Sequence, residues 1–150
     1  LLKPAPYLTV MICVGNALRS DDGVGSYIAS HLRNTKKLAV FYAGYTPENF
    51  IENVAELRPG RIIVIDAADF RGEAGEARII NEEDIPESSL STHAISMKVI
   101  CRILKEDTDS DIRFIGIQPK EISYGERLSP EVKAAADMII SQINKEFADA

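Results

Sequence analysis

The run Arg61-Ile62-Ile63-Val64-Ile65-Asp66 constrains the fold more than any other stretch of the chain. It is short, almost wholly β-branched, and closes on an acid. Branching at Cβ suits a pleated backbone and disfavours a helix, so the run reads as a strand. Residues 8–14 (LTVMICV) form a second short, continuous apolar run. Runs that are apolar throughout, rather than alternating, suit strands buried on both faces, the habit of parallel sheets flanked by helices.

The stretches between and beyond these runs supply the helices. After the polar turn Gly15-Asn16-Ala17-Leu18-Arg19-Ser20-Asp21-Asp22-Gly23, the residues Val24, Ile28 and Leu32 recur at helical spacing, ending near Arg33. Residues 38–43 (LAVFYA) read as a strand closed by Gly44. Pro47-Glu48 open a helix with apolar positions Ile51, Val54, Ala55 and Leu57, and Pro59-Gly60 stop it. Residues 76–80 read as a more polar edge strand, residues 81–90 as loop, and residues 93–104 as a helix capped by Ser91 or Thr92, with Ile95, Val99 and Ile103 along one side. Residues 111–117 give a further strand. Ser129-Pro130-Glu131 start the last helix, a capping Ser followed by Pro at the first helical position. It runs to about Phe147, with Val132, Ala136, Ile139, Ile140 and Ile143 on its buried side. Strands alternating with helices predict an α/β fold: a three-layer sandwich, mostly parallel, with a twisted sheet of about five strands and helices on both faces. No repeat or linker divides residues 1–150, so one domain is expected.

Charge and composition narrow the function. Seventeen basic and twenty-three acidic residues give a net charge of −6, and a surface of that sign repels nucleic-acid backbones. No apolar stretch approaches the ~20 residues of a membrane helix, and residues 1–7 lack the apolar core of a secretory signal. Cys13 and Cys101 lie inside apolar segments and form no CxxC pair, as buried thiols of a reducing compartment do. A cytoplasmic protein is expected.

In open parallel sheets, ligands bind beyond the carboxyl ends of the strands. That rule singles out Asp22 in the loop after the first strand, Asp66 at the end of the third, and His93 at a loop-to-helix junction. Two carboxylates and an imidazole are a usual ligand set for a divalent transition metal with open positions. Plainer roles stand beside this one: Asp21 and Asp22 precede a helix, where acids cap free N–H groups; Asp66 suits a turn opener; His93 suits a helix start. An acid ending a buried strand, however, costs desolvation unless it has a partner. His31 lies beside the apolar stripe of the first helix and reads as solvated or packed. The loop after the first strand lacks the Gly-Lys-Ser/Thr ending of a phosphate cradle and is not GxGxxG. There is no GxSxG elbow, and an aspartic dyad of adjacent Asp21 and Asp22 is geometrically awkward.

Gly15-Asn16 followed by Ser20-Asp21-Asp22-Gly23-Val24-Gly25 resembles the opening of the hydrogenase maturation endopeptidases. The resemblance continues, in the same order, through Pro47-Glu48-Asn49, Glu56-Leu57-Arg58-Pro59, Val64-Ile65-Asp66-Ala67-Ala68-Asp69, Gly75-Glu76-Ala77-Arg78, Ser91-Thr92-His93 and Gly116-Ile117-Gln118-Pro119. It implies an enzyme that removes a C-terminal extension from the large-subunit precursor of a nickel-iron hydrogenase, of the type maturing hydrogen-evolving hydrogenases. It further implies that Asp22, Asp66 and His93 bind nickel supplied by that precursor, other divalent metals being admissible in vitro, and that no side chain acts as nucleophile. Gly44, Thr46 and Asp21 are expected to contact the substrate, with the loops at residues 44–46 and 82–90 as selecting walls. The enzyme is expected to act as a monomer, with the precursor as partner and without nucleic acid or membrane insertion. Two rivals are a nickel-checking chaperone without catalysis and a phospho-acceptor receiver domain. A receiver needs a Lys where Gln118 stands before Pro119.

Overall fold

A computed structural model describes residues 6–85 and 96–148. Their strands are β1 (Thr9–Val14), β2 (Leu38–Gly44), β3 (Arg61–Ala67), β4 (Ala77–Asn81) and β5 (Asp111–Ile117), and their α-helices are α1 (Val24–Ser30), α2 (Ile51–Glu56), α3 (Met97–Thr108) and α4 (Pro130–Glu146). The strands join in one sheet in the order β2-β1-β3-β5-β4. All neighbours pair in parallel except β4, which runs antiparallel to β5 at the edge. The three-layer sandwich expected from the sequence is the observed fold.

Alternate residues of the central strands feed two separate cores. Val10, Ile12, Ile62, Val64 and Phe114 pack with Val54 of α2 and with Met97, Ile100, Cys101 and Leu104 of α3. Met11, Ile63, Ile65, Ile115 and Ile117 pack on the other face with Val24 and Ile28 of α1 and with Val132, Ala136, Ile140 and Ile143 of α4. This is the period-two geometry of a strand with helices above and below it. Tyr7 has a packing role: its ring lies against Gly60, and the Arg61 guanidinium sits 5.7 Å above it.

Three local expectations change. The helix predicted over 93–104 runs instead as α3, and its cap is Ser96, whose hydroxyl accepts from the Val99 N–H at 3.3 Å. Ser91, Thr92, His93 and Ile95 lie outside the described residues. The buried stripe of α3 is Met97, Ile100, Cys101 and Leu104, whereas Val99 is exposed; the helix starts four residues after His93, and the face it buries is a different one from that expected. Finally, Ser129 occupies the cap position of α4 but makes no side-chain cap. Its hydroxyl is drawn elsewhere, as described next.

Candidate active site

The strand order creates the crevice. The chain leaving β1 crosses to β2 on one side, and the chain leaving β3 proceeds to β4, beyond β5, on the other. Loops that part in this way leave an opening beyond the carboxyl ends of the two adjacent strands. Since Cys13 pairs with Ile65, Asp66 stands level with the end of β1, next to the turn that carries Asp22.

Gly15 is the pivot between the two acids. It has a φ of +145°, and a Cβ there would overlap the Asp22 carbonyl and lie 3.7 Å from Asp66 Oδ1. Only a residue without a side chain lets the Asp22 turn fold down over the end of β3. From Gly15 the chain passes into a short 3-10 turn, Ser20–Gly23, whose four residues are all buried. Within it the Asp22 N–H donates to the Arg19 carbonyl at 3.0 Å, and Asp22 Oδ2 accepts from the Asn16 N–H at 3.2 Å. Asp22 and Asp66 are each 2% exposed. The structure therefore brings the main chain of buried Asp22 and the carboxylate of buried Asp66 to one glycine at the switch point of the sheet. Among the described residues no group of three or more His, Cys, Asp or Glu side chains is gathered into a metal cage, and His93 falls outside them.

Asp21 faces the opposite way. The carboxylate of this residue, which the resemblance places at the substrate, is wholly buried and accepts from four internal donors. These are the N–H groups of Lys120 (2.8 Å), Glu121 (2.9 Å) and Ser129 (2.7 Å), and the Ser129 hydroxyl (2.8 Å). This is where the expected helix cap has gone. Burial alone would raise the pKa of Asp21; the donors from Ser129, Glu121 and Lys120 outweigh it and hold the carboxyl below its ordinary value. Nothing in the sequence spacing joins Asp21 to residues 120–129. The available signal was the unstructured stretch between β5 and α4, too long to be a mere connection in a compact domain.

The other expected residues cluster nearby. Gly44 ends β2 with a φ of +58°, and its carbonyl accepts from the Gly15 N–H at 2.6 Å. Its surroundings are open, and half-buried Thr46 follows on the same loop. Gln118 secures the loop after β3: its Oε1 accepts from the Phe70 and Gly72 N–H groups, and its Nε2 donates to Asp69. The position where a receiver would hold its Lys is thus occupied by an amide locking a loop. His31 lies exposed beyond the end of α1, its Nδ1 2.8 Å from the Tyr27 carbonyl and its ring 4.5 Å from that of Tyr27. Burial pushes the thiols of Cys13 and Cys101 up to about 12, with Glu82 adding to the effect at Cys101, so neither is a nucleophile at neutral pH.

Comparisons with known proteins agree in kind. A family model described as hydrogenase maturation protease matches residues 23–146. The hydrogenase 3 maturation protease of Escherichia coli is 34% identical over 137 residues, covering 89% of this chain and 87% of that one. The crystal structure of the NiFe hydrogenase maturation protease HycI from Thermococcus kodakarensis aligns with a TM-score of 0.85 at 28% identity, covering 97% of this chain and 96% of that one. For the solution structure of the endopeptidase HycI from Escherichia coli the TM-score is 0.81 at 32% identity, with 92% and 90% covered.

Proposed function

This chain belongs to the hydrogenase maturation protease family, and from that premise we propose that it removes the C-terminal extension of a nickel-loaded hydrogenase large-subunit precursor. The precursor's nickel is gripped by Asp22 and Asp66, with His93 as third ligand. The observation that carries this reading is the burial of both acids around Gly15, Asp22 in the turn whose main chain lies over that glycine and Asp66 on β3 with its Oδ1 facing it. Burying one such acid is unfavourable, and burying two in one region more so, unless a cation or a donor set offsets the charge. A site with positions left open suits a metal that arrives already held by the substrate, because a closed four-ligand cage would not admit it.

Gripping the nickel brings the scissile peptide to the rim. Once bound, the nickel would supply a Lewis acid, and Asp66 a base, to activate a water for attack on the peptide carbonyl; the C–N bond would break and the departing amine take up the water's proton. Both thiols are buried inside their elements and protonated, in keeping with a reaction that uses water rather than a side-chain nucleophile. Gly44 and Thr46 line the approach, and the enzyme works as a monomer on this protein partner. Among the described residues no helix is long and apolar enough to cross a membrane.

The test is incubation with nickel-loaded and nickel-free precursor, followed by mass analysis of the precursor C-terminus. Scission of the loaded form alone supports the proposal, and equal scission of both forms refutes nickel recognition. His31→Ala is the control: lying beyond the far end of α1, it leaves the rate within about twofold of the parent, as a surface change away from the site should.

A further inference from the structure

We infer that Asp21 is the positioning residue of this site: it clamps residues 120–129 against the turn that carries Asp22, and so fixes where the Asp22 carboxylate points. The inference rests on Asp22 being one of the carboxylates that grip the substrate's metal.

Two adjacent acids in one short turn have been given opposite tasks. The Asp22 carboxylate accepts from the Asn16 N–H on the Gly15 side. The Asp21 carboxylate takes four donors from Lys120, Glu121 and Ser129, and its own N–H donates to the Glu121 carbonyl at 2.9 Å. A 3-10 turn has poorer hydrogen-bond geometry than an α-helix and little stiffness of its own. This one also has no side-chain cap at Arg19. Its rigidity must therefore come from what is bonded to it.

The partner segment needs the clamp just as much. Between β5 and α4 the chain forms neither helix nor strand beyond one bridge, Arg19 to Gly125. It is nonetheless laced to the Asp22 turn: the Ser20 N–H donates to the Gly125 carbonyl (2.7 Å), the Ser20 hydroxyl to the Ser123 carbonyl (2.8 Å), the Arg19 Nε–H to the Ile122 carbonyl (3.2 Å), and the Gly125 N–H to the Leu18 carbonyl (3.0 Å). Asp21 is the one member of this set that is wholly buried and charged, and its bonds are charge-assisted. Removing it takes away the charged part of the lacing and leaves the uncharged acceptors bonded by Arg19, Ser20 and Gly125, which alone cannot offset the entropy of ordering an irregular segment. Placement errors of about an ångström in a catalytic group cost on the order of a hundredfold in rate, so a positioning residue should show itself in turnover.

Asp21→Asn keeps the volume but replaces half of the acceptor with an NH2 group facing backbone donors. In single-turnover and steady-state assays with nickel-loaded precursor, we expect kcat to fall at least about tenfold with KM within about threefold of the parent. An unchanged kcat overturns the inference, and so does a raised KM with kcat intact, which would make Asp21 a direct substrate contact. Hydrogen exchange gives a readout independent of activity. Residues 20–23 and 120–125 should lose protection together, by at least about tenfold, while β3 and β5 keep theirs. Undiminished protection of residues 20–23 overturns the clamp whether or not the parent cleaves. If the parent shows no nickel-dependent scission while exchange behaves as expected, it is the functional reading that falls. Should Asp21→Asn not fold, Ser129→Ala deletes only the hydroxyl donor; kcat is then expected to drop about threefold, the equivalent of one hydrogen bond, and no drop overturns the inference.

Discussion

The rim formed by β1 and β3 and the edge formed by β4 are built on different principles. At the rim, three acids are buried, Asp21, Asp22 and Asp66, and each must be placed by specific donors or by a specific lack of side chain, as at Gly15. At the edge, four of the five residues of β4 are exposed, and the strand is held by its antiparallel backbone ladder with β5. Its side chains add surface contacts: Arg78 reaches Glu76 at 2.7 Å and lies 4.4 Å above the Phe70 ring. A buried polar group without its partner costs about 1–3 kcal/mol, whereas exposed ion pairs contribute a small fraction of that. The rim should therefore be intolerant of change and the edge permissive, even though both belong to one sheet.

Asp66→Asn should produce the largest effect. It alters no volume and, at the end of β3, opens no core, so the melting temperature should stay within a few degrees of the parent. Turnover of nickel-loaded precursor should fall by at least about a hundredfold, the lower end of what a positioned acid or base contributes. A variant that processes normally would show that the rim's exacting construction serves something other than the reaction.

Gly25→Ala sharpens the same contrast on the stability axis. Gly25 is buried in the first turn of α1, and a Cβ there would overlap the backbone of Val14 at the end of β1. The helix would have to lift off the strand, at an expected cost of about 3 kcal/mol, the upper end of ordinary overpacking. Denaturant unfolding measures it. A cost below about 1 kcal/mol would mean that the helix has room to shift, and that the rim is less tightly determined than its burial implies.

The same division explains what could be read from the sequence. β3, β5 and the buried positions Val24, Ile28, Val132, Ala136, Ile140 and Ile143 follow from apolar periodicity, because burial of apolar surface is a property each segment carries locally. The position of Asp22 and Asp66 at the rim was legible because the rule for ligand sites in parallel sheets refers to strand ends, which periodicity locates. The pairing of Asp21 with residues 120–129 was not, since it joins parts of the chain separated by about a hundred positions through backbone N–H groups, which every residue type possesses. Ser129 shows the cost of this: as Ser-Pro-Glu it carries a helix-cap signature, and tertiary contact with a buried carboxylate overrides it. The start of α3 was misjudged for a related reason. Ser91, Thr92 and Ser96 are all capable caps, and the sequence alone does not rank them.

The smallest expected effect tests the permissive side. Ile79 and Ile80 are neighbours on β4 with identical chemistry, each opposite a residue of β5. Ile79 is 59% exposed, while Ile80 is half-buried against the core beneath α2 and α3. Thr preserves the branching that a strand favours, so Ile→Thr at either position leaves backbone propensity nearly untouched and isolates the side chain's surroundings. At Ile80 the hydroxyl enters an apolar contact, and a loss of about 2 kcal/mol is expected. At Ile79 it enters water, and the change should stay within about 0.5 kcal/mol. Equal losses at the two positions would mean that β4 depends on its outer face as well, through a contact absent from the isolated chain. The edge would then be as determined as the rim, and the distinction between them would rest on chemistry alone rather than on packing.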